Sequence, residues 1–227
     1  MAVSNRRSAL ASSKGVGMFR RLAAVAVSAA LALSLTTLPA QAAPGTVLNT
    51  VSIDVDGDGV ADTVEVIKFT DTKYLLQVTT ASRISGVFFT STFPGDWGEP
   101  SPWFGASAID KVKGAELMVY NWGGDGVGFS VYTWRANALV KEKAPAAPLV
   151  KGWYLGAQGY KCFTSKGRRY IDVSNLVANA SSTVWSGKII RSAWSGGHWV
   201  KISTRKVKLS TAKADAYIGF NCGPITT

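Results

Sequence analysis

From residue 46 onward the apolar positions recur with a period of two. Segment 46–53, Thr-Val-Leu-Asn-Thr-Val-Ser-Ile, and segment 63–69, Thr-Val-Glu-Val-Ile-Lys-Phe, are rich in β-branched residues and alternate roughly between apolar and polar. That spacing puts one row of side chains on each face of an extended chain, so both segments read as strands. Segment 201–209, Lys-Ile-Ser-Thr-Arg-Lys-Val-Lys-Leu, interleaves lysine with apolar residues, as a strand with one face in water does. After residue 43 no segment carries a sustained helical period. Two turn-rich links interrupt the strands. Segment 93–104 contains Pro94, Pro100 and Pro102 and cannot be regular structure, and segment 144–148, Ala-Pro-Ala-Ala-Pro, is a second joint. The pattern predicts an all-β, antiparallel fold.

The strands recur in units. Sliding the chain by 54 lays segment 52–64 over 106–118, with Asp56 on Asp110, Ala61 on Ala115, Asp62 on Glu116 and Val64 on Met118. A shift of 60 lays Trp134 and Lys141 over Trp194 and Lys201. Both of those segments read as strand, tight turn, strand, with Asn137 or Gly196-Gly197 at the turn. A weaker echo sets Lys166-Gly167 against Lys113-Gly114. Three related units near 50–85, 105–145 and 160–205 follow, each the size of a four-stranded propeller blade. Three is fewer than the four to eight blades of closed propellers, so an open stack or sandwich-like packing is also expected.

The loop between the first two strands concentrates the chemistry. Asp54, Asp56, Asp58 and Asp62 fall within nine residues, with Gly57 and Gly59 among them. Carboxylates this close repel one another unless a cation lies between them, and calcium accepts six to eight hard oxygen ligands in a tolerant geometry. The glycines supply the positive-φ turns of a tight coil. Asp54, Asp56, Asp58, Gly59, Val60 (by its carbonyl), Asp62 and Glu65 match the EF-hand loop. The flanks are strands rather than helices, however, so Glu65 is expected within the second strand and not as a bidentate ligand. The bare alternative is an acidic hairpin loop without metal. In the second unit Ala108 and Val112 stand where the first has Asp54 and Asp58. That copy is expected to keep the turn and to lack the ion.

Asp-x-Asp-Gly-Asp-Gly-x-x-Asp between two strands resembles the calcium loop of FG-GAP/VCBS-type repeats, found in integrin-α-like β-propellers and many secreted bacterial proteins. The resemblance implies that Asp54, Asp56, Asp58 and Asp62 provide side-chain ligands to Ca2+ and Val60 a backbone one. It departs from the family in having one intact loop only.

Residues 1–42 read as an export signal: Arg6, Arg7, Lys14, Arg20 and Arg21 precede an apolar run at 22–35, and Ala40-Gln41-Ala42 is a small-x-small cleavage site. Cleavage there leaves a secreted domain at 43–227. Either Met1 or Met18 serves as the start, and Met18 gives a signal of ordinary length. No later apolar run is long enough to span a membrane. Cys162 and Cys222, an even pair in an oxidising compartment, are expected to form one disulfide.

Charge is asymmetric. Residues 43–150 hold 8 Lys/Arg against 12 Asp/Glu, and residues 151–227 hold 12 against 2. The basic half suits anionic wall polymers or headgroups, or it is simply a solvated strand face; nucleic acid is not the expected partner. Trp97, Trp103 and Phe104, in the proline-rich link, are candidates for stacking on a glycan or gripping a surface protein, or else for capping the core. Hydrolase motifs are missing. His198 falls in a turn, and Asp96, Glu99 and Asp110 are acid candidates only by elimination. The leading expectation is a secreted, calcium-stabilised binding module at the cell surface or wall. A hydrolase with an unrecognised site and a purely structural module are the alternatives.

Overall fold

The computed structural model describes residues 45–93, 101–123, 127–143, 145, 149–153 and 155–227, with residues 122–123 and 149–153 described along the backbone only. The export signal expected over 1–42, the cleavage site, Met18, Asp96, Trp97 and Glu99 lie outside the described residues. The period-two segments are strands. β1 (Thr46–Ile53), β2 (Asp62–Lys68), β3 (Lys73–Thr79) and β4 (Ile84–Thr90) form one antiparallel meander. β5 (Trp103–Ser107), β6 (Glu116–Gly123), β7 (Val127–Arg135) and β8 (Ala138–Lys141) form a second. β9 (Leu149–Trp153) pairs with both β7 and β10, and so links the second meander to a third. That third meander comprises β10 (Gly156–Ser165), β11 (Arg168–Ala178), β12 (Val184–Ser195) and β13 (His198–Ser210). The fold is all-β, with open sheets and no closed barrel among the described residues.

Tight turns set the register. Ala136 and Asn137 (φ 49° and 62°), Lys166 and Gly167 (48° and 69°), and Gly196 and Gly197 (59° and 77°) all take the left-handed conformation of a two-residue hairpin. The expected turns at Asn137 and Gly196-Gly197 are therefore present.

The meanders stack face to face. Val64, Val66, Leu76 and Val78 of the first pack against Leu117, Val119, Tyr132 and Trp134 of the second. The opposite face of the second, through Met118, Phe129 and Val131, packs against Tyr160, Ile171 and Val173 of the third. The middle layer is thus buried on both sides, which is why β7 lost its alternation: every residue from Gly128 to Trp134 is buried. On the far face of the third meander Leu176 and Ile189 are fully buried, as is Ala214 of the single-turn helix α1 (Thr211–Ala214).

After α1 the chain turns back. β14 (Gly219–Asn221) runs parallel to β10, and Cys222 is bonded to Cys162. The last residues then reach the second meander, where Thr226 and Ala106 exchange both backbone hydrogen bonds at 2.9 Å. The disulfide closes a separation of 60 residues and holds this strap against β10. On a chain-entropy basis a loop of that length stabilises by about 4 kcal/mol. Cys222→Ser is expected to lower the unfolding free energy by roughly 2–4 kcal/mol, measured by denaturant melts against the unreduced parent. A variant as stable as the parent would show that the strap is dispensable.

Candidate functional site

The site is built from loops at one end of the stacked sheets. In the first, residues 54–61 coil so that their own amides hold the carboxylates. Gly57 N–H donates to Asp54 Oδ1 at 2.7 Å and Gly59 N–H to Asp54 Oδ2 at 3.1 Å. Asp58 N–H donates to Asp56 Oδ1 and Val60 N–H to Asp58 Oδ1. Gly57 and Gly59 have φ of 82° and 90°, values that bend the coil and that a side chain would strain. Carboxylate oxygens of Asp54, Asp56 and Asp58 come within 4.8 Å of one another, an arrangement able to hold a metal ion. Desolvation, with the charges of Asp62, Asp58 and Asp54, pushes the Asp56 carboxyl above its ordinary value. Ligation by a cation would reverse that charge repulsion.

Asp62 is elsewhere. It is buried at the start of β2, and its Oδ2 accepts from Val55 N–H at 2.8 Å and Asp56 N–H at 3.3 Å, capping the loop from inside. It does not join the Asp54–Asp56–Asp58 group. Val60 is exposed. Glu65 lies in β2 and accepts from Gln77 on β3, directed away from the loop as its strand position requires.

The second loop, residues 108–115, repeats this plan. Glu116 Oε2 accepts from Ile109 N–H at 2.6 Å and Asp110 N–H at 3.2 Å, as Asp62 does one unit earlier. Asp110 Oδ1 accepts from Val112 N–H, as Asp56 Oδ1 does from Asp58. The acids shared by the two copies are therefore those that shape the loop, and the residues that differ are the remaining members of the metal-capable group.

The cation of the second loop is supplied by the chain. Arg135, at the end of β7, pairs with Asp110 and lies 3.9 Å from Glu116. In the first unit the comparable turn carries Arg83, which is exposed and makes no ion pair among the described residues. Arg169, from β11, donates to the carbonyls of Ile109, Ala108 and Cys222. Glu142, which follows β8, completes a second carboxylate group with Asp110 and Glu116, and its Oε1 accepts from Trp199 Nε1–H at 2.7 Å. Glu142 Oε2 is buried without a hydrogen-bond partner. The acid Glu142 and the cations Arg135 and Arg169 were not legible from spacing, because they reach the loop from distant strands.

The loops also touch one another. Ala115 N–H donates to Asp54 O at 2.9 Å, a Cβ on Gly57 would sit 2.6 Å from Lys113 Cβ, and one on Gly114 (φ 96°) would sit 2.2 Å from Val55 O. Two glycines thus let two backbones meet without side chains between them. The second loop in turn meets the β10–β11 turn, where Lys111 Nζ donates to Gly167 O.

The aromatic candidates divide. Trp103 lies in β5 and is buried in the core between the first two sheets, so of the two expected roles it takes the core-capping one. Phe104 is half-buried and stacks on Phe129 at 5.4 Å. His198 is exposed beside the β12–β13 turn, its Nδ1 3.1 Å from Gly196 O. No helix of the described residues is long and apolar enough to cross a membrane. Compared with known protein families, curated proteins and solved structures, the chain matches none.

The buried carboxylates make a pH prediction. Desolvation first, then the neighbouring acids, push Glu116 up to about 8, and desolvation with Asp110 pushes Glu142 up to about 7. Both values lie above those of an unfolded chain, so the native state keeps protons that the unfolded state releases. Stability from these groups is then complete below pH 4.5 and is lost as pH rises through 7 and 8. In denaturant melts the protein is expected to lose roughly 1–3 kcal/mol of stability between pH 5.5 and pH 8.5. Glu142→Gln should flatten that slope; an unchanged slope would place the proton elsewhere.

Proposed function

We propose that the chain is a secreted, calcium-stabilised β-repeat binding module of the FG-GAP/VCBS type that works at the cell surface or wall. One observation carries the reading: Asp54, Asp56 and Asp58 converge in a coil whose own amides orient them. The donor set suits Ca2+, a hard cation that takes carboxylate and carbonyl oxygens. Asp54, Asp56 and Asp58 would hold it, with the exposed Val60 carbonyl as the backbone ligand. Asp62 contributes by fixing the loop. Bound calcium would supply charge neutralisation, and the chain's own part is to keep the carboxylates gathered before the ion arrives. The Cys162–Cys222 disulfide fits an oxidising compartment and supports export.

The hydrolase alternative gains nothing from Asp110. Its side chain is fully buried, accepts a backbone amide and is paired with Arg135. The binding reading draws instead on exposed cations: Lys188 stands directly opposite Lys206 on the β12–β13 hairpin, and like charges so placed disfavour the pairing unless an anion comes between them.

Thermal melts with calcium and with chelator test the metal. The parent should gain about 2.7 kcal/mol at a hundredfold excess of calcium over its Kd. Asp58→Ala should lose most of this response, Glu65→Ala should lose little, and Asp110→Ala should leave the calcium increment intact. Indifference of the parent to chelator would refute the site, and a large Glu65 effect would refute the ligand set.

A further inference from the structure

The first two sheets are joined at one point along β4 and β8, where Leu139 N–H donates to Ser85 Oγ at 3.0 Å. Farther along the same strands a cleft of about 480 Å³ opens between them. Its rim carries Lys73 from β3 and Lys141 from β8, both exposed and neither in an ion pair among the described residues. Its wall carries Phe88, 54% exposed although it is a large aromatic side chain. Phe69 braces that ring edge-on at 5.3 Å, and Lys73 Nζ lies 4.8 Å from its centroid. The cleft is also lined by Asn121, Ser130 and Tyr132, which bring an amide and two hydroxyls, and by no carboxylate among the described residues.

We propose that this cleft binds an acidic oligosaccharide, with Lys73 and Lys141 taking the ligand's carboxylates and Phe88 stacking on a sugar face. The inference rests on the binding-module reading and names its ligand class and site. Charge sets the sign of the ligand: two ammonium groups without an ion pair, facing a space with no acid among the described residues, favour an anion. The exposed ring sets its shape, since a braced aromatic offers an apolar platform that a sugar face can cover. The volume matches a small organic ligand rather than a single inorganic anion. Lysine is suited to this task as a mobile point charge that does not require the fixed bidentate geometry of arginine.

The test uses the mature protein in calcium, titrated calorimetrically with trigalacturonic acid, with its uncharged methyl ester and with inorganic polyphosphate. The acid should bind and the ester should bind at least tenfold more weakly. Lys73→Ala/Lys141→Ala and, separately, Phe88→Ala should each weaken the acid at least tenfold, while Lys208→Ala, on the remote hairpin, should not. These positions are exposed, and the calcium-dependent rise in melting temperature reports that each variant is folded. Acid binding that survives the cleft changes but is lost in the hairpin variant would overturn the cleft and leave the binding module standing. Binding of polyphosphate that needs the lysines but not Phe88, with no binding of the sugar acid, would overturn the saccharide assignment. No binding of any probe would overturn the cleft and count against the binding module together.

Discussion

Two backbone loops meet without side chains between them, and this contact fixes how the acidic loops sit against one another. The loops at 54–61 and 108–115 approach through Gly57 and Gly114 and are joined by the Ala115–Asp54 hydrogen bond. A loop that close to its neighbour cannot move outward to separate its charges. Each loop nevertheless gathers carboxylates, because a carboxylate at the start of the next strand is what caps its amides. Close packing and like charge therefore conflict, and a cation at each loop would resolve the conflict.

The two loops differ in where such a cation could come from. The first leaves its carboxylates half-buried or exposed and oriented by amides, in the form that a hard metal ion takes up. The second buries its acids and brings in Arg135 and Arg169 from neighbouring strands. A guanidinium is a cation that is never lost to dilution or chelation, but it must be buried at a desolvation cost. The residual imbalance is visible in Glu116 and Glu142, whose carboxyls are held well above their ordinary range. Glu142 then ties the second unit to the third through Trp199. The sequence of contacts runs from metal-capable loop to guanidinium loop to hairpin.

Much of this was legible in the chain. Alternation of β-branched residues marked β1 and β2, the 54-residue shift paired Asp62 with Glu116, and glycine or asparagine marked the hairpin turns. The pairing held for a reason that spacing alone does not reveal: Asp62 and Glu116 act on backbone amides, so Asp62 caps its loop instead of joining the converging carboxylates. For Trp103 the proline-rich link left two readings open, a stacking platform or a cap on the core, and β5, which begins inside the link, turns the indole into the core. Arg135, Arg169 and Glu142 were illegible, since their roles arise from strand pairing across 25 or more residues. The cleft at Lys73, Phe88 and Lys141 was illegible for the same cause: it exists only where two sheets diverge.

If the first loop takes its cation from solution and the second from the chain, the protein offers calcium one cation site per chain and fills the other with Arg135. The decisive measurement is calorimetric titration of calcium into the chelator-treated mature protein. Binding is expected with a stoichiometry of one ion per chain. No binding would contradict the metal-capable loop, and two ions per chain would contradict the assignment of Arg135 as the resident cation of the second.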